Sequence, residues 1–258
     1  MTDIEIPGTF PRGGDVSGRR VVITGAGRGL GRLLAHAFST DGAIVGLVAR
    51  TALDLKTVAD ELPGPSLIFG GDVRDPEFND AVADAVVAEW GGLDVWICNA
   101  GISPVVAGPR ETDPQVWREV LDVNLTGAFL GARAAARVMG PGGRLIFTGS
   151  VLGERPREGL AAYSASKAGL VALAKTLALE LARSAITVNV VAPGWFDSPL
   201  AEGWKSNPKL SDQILGHTAQ QRWGGATDLA GAYQFLASEA AGFVTGTVLT
   251  VDGGYLLA

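Results

Sequence analysis

The sequence predicts an α/β protein, one domain built on a doubly wound, seven-stranded parallel sheet with helices on both faces. Three observations predict it. Short β-branched runs alternate with helical stretches along almost the whole chain. The first run opens into a glycine-dense turn, Gly25-Ala26-Gly27-Arg28-Gly29-Leu30-Gly31, that leads directly into a helix. With 258 residues, 47% of them hydrophobic, the chain can cover a sheet on both sides.

Each element has its own warrant. Residues 1–17 hold Pro7, Gly8, Pro11 and Gly13-Gly14 and no apolar run, so they read as an irregular arm, ordered against another subunit. Residues 18–258 read as the single domain. Strand one is 21–24, and the glycine turn feeds a helix over 32–40. Strand two is 43–49, followed by a helix over 53–62 that Pro63-Gly64 closes; strand three is 66–69, ending at Asp72. A helix over 78–90, strand four at 93–98, one long helix over 115–139 and strand five at 144–148 continue the alternation. After the helix that begins near Tyr163 come strand six at 186–191, a helix over 228–237 and strand seven at 248–251. Strands separated by helices imply right-handed crossovers and therefore parallel pairing.

Composition excludes several functions. Lys and Arg total 21 against 27 Asp and Glu, so a net charge of −6 argues against nucleic acid and offers no basic face to a membrane. Cys98 is the only cysteine, which precludes an intrachain disulfide and suits a cytoplasmic protein. The Ala/Leu-rich stretches 128–138 and 168–182 are interrupted by Arg133, Arg137, Lys175 and Glu180, which reads as buried packing rather than membrane spans. His36 and His217 have no partners at metal-ligand spacing, so no metal is expected.

Chemistry concentrates at Tyr163-Ser164-Ala165-Ser166-Lys167. Leu170, Ala174, Leu177 and Leu181 form one helical stripe, and carried backward it meets Lys167 and then Tyr163. An ammonium on an inward face is costly. Either Lys167 leans out to water along its alkyl stem, or it sits beside the phenol and lowers its pKa, making Tyr163 an acid/base near neutrality. In the glycine turn, residues without Cβ let backbone N–H groups and the positive end of the helix approach a pyrophosphate. The alternative there is a tight strand-to-helix turn and nothing more.

Taken together, the motifs resemble those of the short-chain dehydrogenase/reductase family over nearly the whole chain. The carriers are Thr24-Gly25 through Gly31, Asn99-Ala100-Gly101, Asn124 within Asp-Val-Asn-Leu-Thr-Gly, Ser150, Tyr163 with Lys167, Pro193-Gly194 and Val251-Asp-Gly-Gly254, in the family's order. The resemblance implies a Rossmann fold, and a hydride transferred between a nicotinamide cofactor and an alcohol or carbonyl substrate. It makes Tyr163 the proton donor or acceptor and Ser150 the hydrogen-bond partner of the substrate oxygen. Lys167 would bind the nicotinamide ribose, and Asn124 would hold a water of the proton relay. The cofactor would lie along Gly25, Gly27, Arg28, Gly29, Leu30 and Gly31, against Asp72 and Val73 at the adenine, and against Asn99 to Gly101, Tyr163, Lys167, Pro193, Gly194, Phe196 and Ser198. A homotetramer packing through the two Ala/Leu-rich helices is also implied. Three positions depart from the commonest pattern: Cys98 replaces an asparagine, Ser198 a threonine, and Phe196 a smaller aliphatic residue.

At the end of strand two stand Ala49 and Arg50, where an acid would pair with ribose hydroxyls. With Arg28 in the turn, two guanidinium groups favour NADP(H) over NAD(H). Residues 195–223 read as a lid over the substrate, with Trp195, Phe196 and Trp204 as anchors among Pro and Gly; the rival reading is a surface loop packed on the core. The lid is expected to face 153–157, so that Arg155, Arg157 and Lys205 meet an anionic tail. That favours a small polar, carboxylate-compatible hydroxy or keto substrate. Gluconate-type sugar-acid dehydrogenases and 3-oxoacyl-carrier-protein reductases share the pattern, and a non-catalytic dinucleotide-binding sensor or scaffold is the competing class.

Overall fold

The computed structural model describes residues 3–11, 13–104 and 106–258. Seven strands form one parallel sheet in the order β3-β2-β1-β4-β5-β6-β7. They are β1 (Arg20–Thr24), β2 (Ile44–Ala49), β3 (Ser66–Gly70), β4 (Val95–Cys98), β5 (Arg144–Thr148), β6 (Thr187–Pro193) and β7 (Val248–Val251). Every residue of β4, β5 and β6 is buried, as expected of strands covered by helices on both faces. The order reverses at β1, whose neighbours are β2 and β4, and a crevice opens beyond the carboxyl ends there.

The helices are α1 (Gly29–Thr40), α2 (Ala52–Glu61), α3 (Pro76–Trp90), α4 (Pro114–Leu121), α5 (Gly127–Val138), α6 (Ala161–Leu181), α7 (Glu202–Lys205), α8 (Pro208–Gly216) and α9 (Ala226–Ala237). Sequence sets several of their starts. Asp75, Asp113 and Asn207 each cap a first-turn backbone N–H with a side-chain oxygen, and each precedes a proline whose fixed φ suits the first helical position. One hydrophobic cluster packs α1, α2 and α9 on one face, around Phe38, Leu33, Leu229 and Tyr233. A second packs α3, α5 and α6 on the other, around Trp96, Phe147 and Leu170. Full burial of such a side chain contributes about 1.5–3 kcal/mol, so the two layers dominate the fold's stability.

The structure adds detail to three readings. The long helix over 115–139 is continuous and carries a π-helical turn, Asp122–Thr126, between α4 and α5. The arm packs on its own chain: Ile4, Phe10 and Val16 are buried in the α1/α9 layer, and the Gly13 amide donates to Gln234 Oε1 at 3.2 Å. Positions 1, 2 and 12 of that arm lie outside the described residues. The lid contains two helices, α7 and α8. Among the described residues no helix is long and apolar enough to cross a membrane, and no cluster of His, Cys, Asp and Glu could hold a metal.

Candidate active site

The crevice is a cleft of about 590 Å³. Its walls include every residue the sequence assigned to cofactor binding: the turn residues Gly25, Gly27, Arg28, Gly29, Leu30 and Gly31; Arg50, Asp72 and Val73; Asn99 to Gly101; and Pro193, Gly194, Phe196 and Ser198. Ser150, Tyr163 and Lys167 line it too, as do Trp195 and Trp204.

The turn is shaped by what its glycines lack. Gly25 has a φ of 69°, and a Cβ on it would stand 2.9 Å from Ala100 Cα. A Cβ on Gly31 would stand 2.1 Å from the Gly25 carbonyl oxygen, so α1 can begin this close to β1 only with glycine there. The turn is tied to β4 by Thr24. Its hydroxyl accepts the N–H groups of Asn99 and Ala100, both at 3.0 Å, while the Asn99 amide donates to the Thr24 carbonyl at 2.9 Å. The Thr148 hydroxyl then donates to Asn99 Oδ1 at 3.2 Å, which uses its one proton, so the Tyr233 phenol 2.8 Å away donates to Thr148. Thr148 and Tyr233 were not singled out from sequence, because nothing local marks a buried phenol on α9 as a partner of β5.

Tyr163 and Lys167 stand one turn apart on α6 as their spacing requires. Lys167 is buried, and its ammonium donates to the Thr148 carbonyl at 2.7 Å while lying 5.6 Å from the Tyr163 ring centre. It does not lean out to water. Burial lowers its pKa to about 8. The expectation that the ammonium lowers the tyrosine pKa is not met in this arrangement. Burial raises the phenol above its ordinary value, and the hydrogen bond from Ser150 is what opposes it. The phenol is therefore protonated at neutral pH.

Asn124 does not line the cleft. Its side chain accepts from the Ile102 N–H at 2.8 Å and donates to the Ile102 carbonyl at 3.0 Å and to Ser166 Oγ at 3.1 Å. The wider π turn, with Gly127 N–H reaching the Asp122 carbonyl, interrupts the helix where Asn124 projects from it. Asn124 thereby fixes the segment after Gly101 against α6. Ser166 was missed from sequence, since a serine in an Ala/Ser run carries no signal of its own.

At the adenosine end, Asp72 pairs with Arg74 at 2.6 Å, and that hydrogen-bonded guanidinium holds its carboxyl below the ordinary value. Asp54, on the first turn of α2, also lines this end and was missed; its Cβ lies 3.1 Å from where a Cβ on Gly27 would stand. Cys98 donates to the Ala128 carbonyl at 3.3 Å, and burial pushes its thiol pKa up, which suits a packing role.

The lid tryptophans do both things the sequence allowed. Trp195 packs against Trp204, Trp223 and Tyr255 with ring centres 5.4, 6.0 and 6.3 Å apart, while Trp195 and Trp204 also wall the cleft. The lid does face 153–157, through Arg157, and each of the three cations has a partner in the fold. Arg155 donates to the Tyr255 and Ala258 carbonyls, Arg157 lies over the Trp204 ring at 4.8 Å and donates to Gln213, and Lys205 pairs with Asp197. None of the three lines the cleft. Tyr163 packs instead with an apolar cluster that includes Val151, Leu152, Leu160 and Trp195, and Leu200 and Trp204 also line the cleft.

Glycine turn, switch-point cleft and half-buried Tyr163 beside the buried Lys167 together define a dinucleotide-dependent oxidoreductase. Comparison with known proteins gives the same class. A family model described as enoyl-(acyl carrier protein) reductase matches residues 25–256. Over 244 residues the chain is 36% identical to cis-4-hydroxycyclohexanecarboxylate dehydrogenase of Sinomonas cyclohexanicum, covering 92% of this chain and 96% of that one. It is 35% identical over 239 residues to 3-oxoacyl-(acyl-carrier-protein) reductase FabG of Escherichia coli, covering 92% and 97%. A short-chain type dehydrogenase/reductase from Mycobacterium marinum superposes with a TM-score of 0.87 at 36% identity, covering 95% and 98%. A short chain dehydrogenase from Burkholderia cenocepacia in complex with NADP gives 0.86 at 32%, covering 94% and 99%. The chain belongs to the short-chain dehydrogenase/reductase family and is an NAD(P)-dependent oxidoreductase.

Proposed function

We propose that this enzyme prefers NADP(H) and interconverts an alcohol and a carbonyl on a substrate with an apolar body. The observation that carries the cofactor preference is that Arg28 and Arg50 both line the adenosine end, where β2 closes on Ala49 rather than on an acid. Two guanidinium groups offer parallel hydrogen bonds to a 2′-phosphate. The relative solved with NADP supports the same reading. Asp54 opposes it with one negative charge and limits the preference rather than reversing it.

A bound nicotinamide supplies or accepts the hydride. The chain's own part is positional and protonic. Tyr163, protonated at neutral pH, gives its proton to the developing alkoxide in reduction and takes it back in oxidation. Ser150 orients the same oxygen, Lys167 supplies the buried cation, and Asn124 holds the segment behind them. With Arg155, Arg157 and Lys205 engaged elsewhere, the wall of Leu152, Leu160 and the tryptophans selects a hydrocarbon ring or chain rather than a carboxylate tail. A hydroxycyclohexane ring or an acyl chain, as named for the two relatives, is of this kind. In the same reading the enzyme is a cytoplasmic homotetramer whose exposed Phe129 on α5 and Leu179 on α6 meet other copies.

Dissociation constants for NADPH and NADH decide the cofactor. NADPH binds at least about tenfold tighter in the parent, and Arg50→Ala removes roughly 1.5–3 kcal/mol from NADPH alone. Equal affinities in the parent contradict the preference.

A further inference from the structure

We propose that Asp3 belongs to the cofactor site as a positioning residue: it caps α1 from the amino-terminal arm and holds the glycine turn in its binding shape. A helix presents unsatisfied N–H groups at its start, and a side chain at the N-cap position normally takes one. Here the N-cap is Arg28, whose side chain makes no such bond, and the first turn of α1 carries no acid. The missing acceptor comes from 26 residues upstream, where Asp3 Oδ1 accepts the Gly29 N–H at 2.8 Å.

The contact is anchored on both sides. Asp3 Oδ1 also accepts the Ile4 N–H at 2.8 Å, Ile4 is buried in the α1 layer, and Arg32 donates to the Ile4 carbonyl at 3.2 Å with its guanidinium 3.7 Å from the Asp3 carboxylate. Arg32 in turn pairs with Glu61 at 2.9 Å, which ties the arm to α2. Gly29 has a φ of 57°, the left-handed region that glycine enters freely, and with no side chain to anchor it, it lines the cleft between Arg28 and Leu30. Asp3 does not line the cleft, so it supports the turn from behind and leaves the neighbouring N–H groups to a phosphate.

The test uses the whole chain and needs no turnover. In Asp3→Ala the dissociation constants of NADPH and NADH both rise by about fivefold, the size of a lost cap, and hydrogen exchange at the Gly29 amide of the cofactor-free protein quickens to a similar extent. Asp3→Asn keeps an acceptor oxygen and restores both readouts to within about twofold of the parent. Parental affinity in Asp3→Ala overturns the proposal, as does tighter binding in both variants, which would make the carboxylate an anion that competes with the phosphates. A parent that binds neither dinucleotide would instead contradict the family's cofactor chemistry.

Discussion

Lys167 carries the sharpest pH dependence at the residue scale. Its ammonium is buried against the Thr148 carbonyl, and burial lowers its folded pKa to about 8 from an ordinary 10.5. Below pH 8 both folded and unfolded chains hold the proton, and the burial penalty is constant. Between about 8 and 10.5 the unfolded chain still holds a proton the fold has released, so this residue's contribution to stability rises with pH across that window. Binding moves the other way, because the cation that would hold a ribose hydroxyl is lost. Titrating the dissociation constant of NADPH should show weakening through pH 8 in the parent and none in Lys167→Met. An inflection that survives in Lys167→Met would assign it to another group.

At the scale of elements, α6 has two faces with separate uses. Tyr163, Ser166 and Lys167 turn inward to the cleft and to Asn124, while Leu179 near the far end is 82% exposed. Apolar exposure of that degree, with Phe129 on the adjoining α5 at 42%, fits helices that meet copies of themselves. On the proposed homotetramer, Leu179→Glu should shift the sedimenting species to smaller forms while leaving the circular dichroism of the fold unchanged. A parent that sediments as a monomer contradicts the assembly. The π turn before α5 shows why element boundaries were harder to read than element types. Residues 115–139 are helical in pattern throughout, and the local chain does not reveal that Asn124 must reach the backbone of Ile102.

Across the whole molecule, the legible part of the sequence was the part set by local chemistry. Alternating β-branched and amphipathic runs gave seven strands within a few residues, and glycines that a Cβ would push into backbone marked the turn. Tyr163 and Lys167 could be paired because a helix brings residues four apart onto one face. What stayed hidden depends on contacts between distant segments. Tyr233 behind Thr148, Asp54 at the adenosine end and Asp3 beneath Gly29 are 85, 27 and 26 positions from their partners. Arg155, Arg157 and Lys205 show the same limit from the other side: their charges suggested an anionic substrate, and the partners Tyr255, Trp204 and Asp197 that engage them in the fold could not be read from sequence.

The central claim is that a protonated Tyr163 exchanges its proton with the substrate oxygen in a cleft that binds the cofactor independently of it. Its most direct test is the pair of measurements on Tyr163→Phe, turnover of a cyclic ketone at saturating cofactor and the dissociation constant of that cofactor. The account predicts a loss of at least about 100-fold in kcat with cofactor affinity within about twofold of the parent. Retained turnover with unchanged cofactor binding would contradict it.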